Sequence, residues 1–552
     1  MDRDLQSMQE MRTLVRQAAV AQAALAALNQ EQVDRICAAV AQAGFAASAE
    51  LARIAVEDTG MGTIPGKTVK NQFNTKDLWE AIKDMKTVGI VVRDEARRVY
   101  EIAEPSGVVC GIIPCTNPTS TALFKSLIAL KTRNALVISP HPRAVKCIQA
   151  TVEVIMRAAS AAGAPAGAVS SLSMPMIEVT QELMKHPDVA VILATGGSAL
   201  VRAAYSAGKP AYGVGPGNVP VYIDKSANIP EAVANIIAGG TFDNGTVCAS
   251  EQAVVTLQSV RQQVIDEFRK QGGYFASPEE IQKLNPVCCS GAIMNPGAVG
   301  LSAVRIAQMA GIAVPPTTCV LLAELEGVGR KWPLSMEKLM PVLAFYAEPS
   351  FEAALARCVE VLHYEGEGHS CAIHTADEQQ IQTFAQTCPS NRVMVNTPTT
   401  HGAIGLTTGL FPSMSLGCGP VAGNITSDNI QPRHLISIKR LAYGKSAASV
   451  EGKYGAPVAA SVQAPPAPAS GAYPWAQAGG DFPRFYSPLA TPLGDREAAA
   501  APRPAVVAAA SVALTADDIR LILAAVRVAP RTHHCPVTSC PENLKASCTG
   551  CT

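Results

Sequence analysis

The sequence predicts an α/β protein with two open, doubly wound α/β domains and a disordered C-terminal extension. Three observations point there. Short continuous runs of β-branched and other apolar residues alternate with stretches of helical periodicity, the pattern of parallel strands covered by helices on both faces. That texture occurs twice, from about residue 104 to 240 and again from 248 to 424. From Ser446 onward the chain becomes mostly Ala, Pro, Gly, Ser and Val without a sustained apolar period, which cannot bury a core.

The elements follow in chain order. Residues 4–58 read as helices, because Leu5, Met8, Met11, Leu14 and Val15, then Val33, Ile36, Cys37 and Val40, recur at helical spacing. Strands are expected at 108–114 (VVCGIIP), 135–139 (ALVIS), 189–193 (VAVIL) and 219–223, with helices at 120–130, 145–162 and 230–237 between or after them. In the second stretch, strands are expected near 253–257, 320–323, 371–374 and 392–396. The division is therefore 1–240 for one domain and 241–428 for the other. Their junction, where strands end and loops converge, is the default place for a ligand.

Beyond the core, residues 446–512 read as an Ala/Pro-rich linker. Residues 513–529 carry an amphipathic helix: Thr515 is a good N-cap, Asp517 and Asp518 sit in the first turn, and Leu514 with Ile519 form a hydrophobic staple. Ile519, Ile522, Leu523 and Val526 make one apolar face, so the helix is suited to docking on a partner or back on its own domain. Residues 530–552 are a Cys-rich tail.

Composition narrows the function. Lys plus Arg and Asp plus Glu both number 45, so nothing favours nucleic acid or an anionic membrane as a partner. With 48% hydrophobic against 16% charged residues, the chain has ample material for a large core. There is neither a signal-peptide pattern nor an uncharged apolar run of about 18 residues, so a soluble intracellular protein is expected. Twelve cysteines scattered from Cys37 to Cys418 read as reduced thiols. The last four, Cys535, Cys540, Cys548 and Cys551, are spaced C-x4-C-x7-C-x2-C. That spacing matches no standard zinc or iron–sulfur motif, and no metal is assigned.

The segment TFDNGTVCASEQ (241–252) carries the chemistry. Cys248 lies between an Asn-Gly turn and a polar stretch, a loop expected to enter a helix. A thiol there would have its pKa lowered by the helix dipole, and the same free amides could hold an oxyanion. A lone cysteine is more often a small core residue, but this polar, glycine-flanked loop is a poor core segment. At Gly196-Gly197-Ser198, in LATGGSAL, a strand ends and a helix starts, which frees amides for a pyrophosphate. GVGPGNVP (213–220) imitates a dinucleotide fingerprint but precedes a strand, so it is not read as one.

Together these segments resemble the aldehyde dehydrogenase superfamily, specifically its CoA-acylating branch, over roughly residues 5–442. The resemblance rests on EPSGVVCGIIPCTNPTSTALFKSL (104–127), ISPHPRA (138–144), LATGGSALVRAAYSAGKP (193–210), GVGPGNVP and TFDNGTVCASEQ. GEGHSCAIHT (366–375), VNTP (395–398) and SLGCG (415–419) follow in the family's order. The chain is especially similar to the aldehyde-oxidising half of bifunctional aldehyde-alcohol dehydrogenases and to microcompartment propionaldehyde and acetaldehyde dehydrogenases, those of glycyl-radical type among them.

The resemblance implies that Cys248 attacks the aldehyde and carries a thioester after hydride passes to NAD+. It implies His369 as general base, with a pKa near neutrality suited to the task; His363 and His374 lie outside the matched Gly-His-Ser. Thr116 or Asn117 is implied to bind the oxyanion with the Cys248 amide. Cofactor contacts are implied at Pro114, Thr116, His141, Pro142, Arg143, Gly196, Gly197, Ser198, Gly215, Pro216, Gly217 and Leu416. CoA would use the same site after NADH leaves.

Hydrolytic relatives place a glutamate in a segment that here reads Tyr212-Gly213-Val214-Gly215-Pro216-Gly217-Asn218, without a carboxylate. Water is then a poor second nucleophile, and the CoA thiol a better one. The expected reaction is oxidation of a short-chain aldehyde, propionaldehyde or acetaldehyde, to acyl-CoA. A hydrolytic or semialdehyde dehydrogenase and an inactive shell-associated scaffold are the alternatives. The resemblance further implies a protruding arm, with strands near 95–106 and 429–445, that joins subunits into a homodimer or homotetramer. The helix at 514–528 resembles encapsulation peptides, which implies a shell-protein partner and a place in a microcompartment lumen.

Overall fold

The computed structural model describes residues 2–291 and 293–444. The linker, the helix expected at 513–529 and the tail with Cys535, Cys540, Cys548 and Cys551 lie outside the described residues.

The chain opens with three helices, Arg3–Ala26, Gln30–Ala46 and Ser48–Thr59. Their buried stripes, including Met11, Val15, Ala18 and Leu25, then Val33, Ile36, Cys37 and Val40, join the core of the first lobe. Asn29 and Gln32 start the second helix with a reciprocal capping box. A fourth helix, Ile64–Thr75, is capped by Thr63 and has Pro65 in its first turn. Its buried face is unusual: it carries Lys67, Lys70, Asn71 and Asn74.

Two strands, β1 (Gly89–Asp94) and β2 (Val99–Pro105), form an antiparallel hairpin. The first lobe then contributes β3 (Val108–Ile113), β4 (Ala135–Pro140), β5 (Val169–Ser171), β6 (Val189–Thr195) and β7 (Ala211–Val214). They form a parallel sheet in the order β5-β4-β3-β6-β7. The central strands β3 and β4 are buried at every position, as expected for apolar runs covered on both faces.

The second lobe is built on β8 (Val219–Ile223), β9 (Glu251–Leu257), β10 (Gly273–Phe275), a short hairpin β11 (Cys289–Ser290) and β12 (Ile293–Met294), β13 (Val320–Glu324), β14 (Val342–Glu348), β15 (Cys371–His374) and β16 (Val393–Val395). Apart from the hairpin these form one parallel sheet, β10-β13-β14-β9-β8-β15-β16. The expected strands at 253–257, 320–323, 371–374 and 392–396 all appear within it. One boundary differs. Residues 219–223 were assigned with 1–240 to the first lobe, yet β8 pairs with β9 and β15 in the second sheet. The chain changes sheets at residues 215–218, because β7 is already an edge strand while the wholly buried run VPVYI needs neighbours on both sides.

The last described strand, β17 (Ile436–Ala442), pairs antiparallel with β2, with Ile438 opposite Ala103. Lys439 donates to Glu104 at 2.8 Å and Arg440 lies 3.1 Å from Glu101 across this ladder. β1, β2 and β17 thus form one three-stranded sheet, which joins the hairpin at 89–105 to the last strand of the described chain. Among the described residues no helix is long and apolar enough to cross a membrane.

Candidate active site

Every strand of the first sheet delivers a loop at its carboxyl end, and several of the expected site residues sit there. Pro114, Thr116 and Asn117 follow β3; His141, Pro142 and Arg143 follow β4; Gly196, Gly197 and Ser198 follow β6 and open the helix Ser198–Tyr205. Gly215, Pro216 and Gly217 lie on the crossing between the sheets. Cys248 precedes β9 and His369 precedes β15 in the second.

The Cys248 loop is shaped by three successive left-handed residues, Asp243, Asn244 and Gly245, with φ of 52°, 56° and 72°. Asn, Asp and Gly are the residue types that tolerate this region. Two bonds tie the loop down: the Asp243 carboxylate accepts from the Thr63 amide, and the Asn244 side chain donates to the Gly300 carbonyl at 2.9 Å. The expected helix after Cys248 does not form. Residues 251–257 are strand β9, and the run EQAVVTL has the continuous burial of a central strand. Without a helix N-terminus the expected lowering of the thiol pKa does not arise. Burial and the nearby Glu337 push Cys248 well above the ordinary thiol range.

Gly217 separates the thiol loop from the histidine. A Cβ there would stand 2.1 Å from the Cys248 carbonyl oxygen and 3.0 Å from His369 Cγ and Nδ1, so only glycine fits. His369 is fully buried; its Nδ1 shares a hydrogen bond with Ser370 Oγ at 3.1 Å, and its Nε2 has no partner. The expected near-neutral pKa is corrected: burial, with Arg392 nearby, pushes it down to about 3. The imidazole is neutral at physiological pH. Gly368 just before it has φ 75°, and a Cβ would lie 1.8 Å from the Cys418 carbonyl. Buried Arg392 fixes that facing loop by donating to the Gly417 and Ser427 carbonyls at 2.6 and 3.0 Å. His363 and His374 stand apart: His363 pairs with Glu367 on the surface, and His374 ends β15.

The fold also brings up residues the sequence did not single out. Glu337 accepts the Gly217 amide at 2.8 Å. Burial raises its carboxyl to about 8, so at neutral pH it is protonated. On the other side, Lys67 and Lys70 converge on Asp243, all three buried. Desolvation lowers Lys70 to about 7, whereas Lys70 and Lys67 outweigh burial and hold Asp243 below the usual carboxylate range. A signal existed for the lysines, whose i,i+3 spacing puts them on one helix face, and for Asp243, within the Asp-Asn-Gly turn. Nothing local marks Glu337.

The cofactor contacts are spread along the strand ends. Gly197 caps the helix after β6, where the first amides lack partners within the helix, and a Cβ at Gly197 or Gly215 would meet open space. A dinucleotide pyrophosphate fits this cradle. Arg143 is tied to the Thr59 carbonyl at 2.7 Å and the Pro296 carbonyl at 3.4 Å. A cleft of about 460 Å³ beside the site is lined by Arg202, Tyr205, Gly215, Pro216, Glu365 and Cys418. Leu416 is buried in the second lobe's core, and it is Cys418 that borders this cleft.

Residues 4–276 match the Aldehyde dehydrogenase family. The bifunctional aldehyde-alcohol dehydrogenase AdhE of Escherichia coli K12 is 43% identical over 438 residues, 78% of this chain and 49% of that protein. This chain thus spans about half the length of the bifunctional relatives it matches. The succinate-semialdehyde dehydrogenase (acetylating) of Clostridium kluyveri is 36% identical over 80% of this chain and 97% of its own. Among solved structures, an acetylating aldehyde dehydrogenase from Geobacillus thermoglucosidasius superposes with a TM-score of 0.80 at 48% identity, covering 81% of this chain and 98% of that one. A propionaldehyde dehydrogenase from the Clostridium phytofermentans fucose utilisation bacterial microcompartment gives 0.72 at 29% identity, over 79% and 98%.

Proposed function

The chain belongs to the aldehyde dehydrogenase family, in its CoA-acylating branch, and from that premise we propose that it oxidises a short-chain aldehyde with NAD+ and CoA to acyl-CoA and NADH. The observation that carries acyl transfer over hydrolysis is the state of the carboxyl groups beside the thiol. The segment 212–218 has none, and Glu337, which the fold delivers to Gly217, is held protonated by burial. A protonated carboxyl cannot take a proton from water, so the thioester waits for a better nucleophile.

Cys248 rests as a thiol because its surroundings disfavour the thiolate. Its proton must therefore leave as sulfur adds to the carbonyl carbon, and the neutral His369 imidazole is the acceptor we assign. The oxygen that becomes anionic is received by the Cys248 amide together with a side chain at Thr116 or Asn117. When bound, NAD+ supplies the hydride acceptor. Gly196, Gly197 and Ser198 would hold its pyrophosphate, His141 and Pro142 its ribose side, and Pro114, Gly215 and Pro216 would lie toward the reacting end. Engagement of Arg143 with two carbonyls leaves it poorly placed for a 2′-phosphate, which favours NAD+ over NADP+. The proton taken from Cys248 passes to solvent before CoA binds; His369 then accepts the proton of the CoA thiol as its sulfur attacks the thioester, and returns it to the departing Cys248 sulfur.

Propionaldehyde or acetaldehyde is the proposed substrate, and a microcompartment lumen the proposed location. The supports are the structural likeness to a microcompartment propionaldehyde dehydrogenase and the capped amphipathic sequence at 514–528, which would bind a shell protein. The arm β1-β2-β17 is the proposed contact between subunits of a homodimer or homotetramer. Steady-state NADH formation with C2 to C4 aldehydes and succinate semialdehyde, with and without CoA, tests the reaction. Strict CoA dependence with a short unbranched aldehyde supports it; equal rates without CoA point to hydrolysis. Deleting 512–552 should leave that rate unchanged and abolish co-purification with shells.

A further inference from the structure

The residue beneath the carbonyl-binding loop is Asn117, and its side chain is fully engaged within the protein. Its Oδ1 accepts from Lys70 Nζ at 2.5 Å, and its Nδ2 donates to the Thr246 carbonyl at 3.0 Å and to Thr116 Oγ1 at 3.2 Å. The orientation is not interchangeable. The Thr246 carbonyl can only accept, so the amide nitrogen must face it and the amide oxygen is left facing Lys70. Asn117 is also buried, whereas Thr116 is half-exposed beside it. The Thr116 hydroxyl accepts from Asn117, which leaves its own hydrogen available to donate outward.

Lys70 is in turn held from three sides. It donates to Asn117 Oδ1, to Thr246 Oγ1 at 3.2 Å and to the Asp243 carboxylate. All three contacts are to protein groups, so the Lys70 nitrogen is turned into the protein rather than toward a substrate. Lys67 does the parallel job on the backbone, donating to the Thr116 carbonyl at 2.9 Å and to Asp243 at 3.0 Å. Asp243 also accepts from Thr246 Oγ1 at 2.8 Å, two residues before Cys248. One buried carboxylate thereby ties the Thr116–Asn117 turn of the first lobe to the nucleophile loop of the second.

We propose that Lys70, anchored on Asp243, is a positioning residue that locks the Asn117 amide as a strut between Thr116 and the Cys248 loop, so that the Thr116 hydroxyl and not the Asn117 amide donates to the aldehyde oxygen. This rests on the acylating reaction proposed above and assigns the substrate contact to one of the two neighbours.

The test follows NADH release in a single turnover of the full chain with propionaldehyde and NAD+, without CoA, so that only thioester formation is read. Thr116→Val should slow that step about 100-fold while the KM for aldehyde stays within about threefold, because a donor used only in the transition state is lost. Thr116→Ser keeps the hydroxyl and should recover most of the rate. Lys70→Met should slow the step about tenfold, again with little change in KM, since the amide is freed to turn. Thr116→Val acylating at the wild-type rate, or Lys70→Met changing only KM, overturns the assignment. If Lys70→Met fails to fold, the Val and Ser pair still decides. A wild-type protein that forms no Cys248 adduct overturns the reaction itself, whereas a working wild type with an unimpaired Thr116→Val overturns this assignment alone.

Discussion

The two sides of Cys248 are built on opposite electrostatic plans. Toward the first lobe lie two lysines and an aspartate, buried and joined by hydrogen bonds to Asn117, Thr116 and Thr246. Toward the second lie a histidine and a glutamic acid whose charged forms burial suppresses, the first with a ring nitrogen that has no partner. Charges that neutralise one another can be buried and make a rigid frame. Isolated titratable groups respond to the same burial by becoming neutral, and a neutral base can accept a proton. On the proposed reading, one side of the thiol fixes geometry while the other handles protons.

That contrast can be broken one side at a time. Cys248→Ser should reduce aldehyde-dependent NADH formation to background, the largest effect, since no other group in the scheme carries the acyl chain. His369→Ala should lower CoA-dependent turnover about 10²–10⁴-fold and leave thermal stability close to wild type, in line with the loss of a proton acceptor. If it instead unfolds the protein and spares the rate of what remains, the histidine is structural. Asp243→Asn strikes the other side. It leaves two buried lysines without their counter-ion, and urea denaturation should report a loss of about 3–5 kcal/mol.

The smallest effect is expected at Glu337. Its folded carboxyl titrates at about 8 against an ordinary value of 4.5. Between those values the folded state holds a proton that the unfolded state has released, so this group makes stability fall as pH rises across the window. Glu337→Gln can keep the bond from the Gly217 amide and cannot ionise. Its activity at neutral pH should match wild type, and its stability relative to wild type should grow from mildly acidic to mildly alkaline conditions. A large loss of activity at pH 7 would show that the ionised carboxylate is needed.

The first lobe was readable because its strands are continuous apolar runs, and the observed β3, β4 and β6 fall within a residue or two of the expected ranges. Val342–Glu348 has the same texture in VLAFYAE and was within reach of the same reading. Cys248 and His369 were singled out through the motifs that carry the family resemblance. The surroundings that set their protonation did not show, because desolvation depends on what packs around a residue from distant parts of the chain. The lysines illustrate this: Lys67 and Lys70 lie on a helix rich in polar residues, and the docking of that helix against Asp243 buries them. The helix wrongly expected after Cys248 has a similar origin. Ala-Ser-Glu-Gln is locally compatible with a helix start, and pairing with β8 and β14 makes it a strand.

The most direct measurement is the mass of the intact protein after incubation with propionaldehyde and NAD+, followed by addition of CoA. The account predicts a propionyl adduct mapped to Cys248 that persists in buffer and is discharged on adding CoA, with propionyl-CoA formed in equal amount. An adduct on another side chain, or free propionate released as fast without CoA as with it, contradicts it.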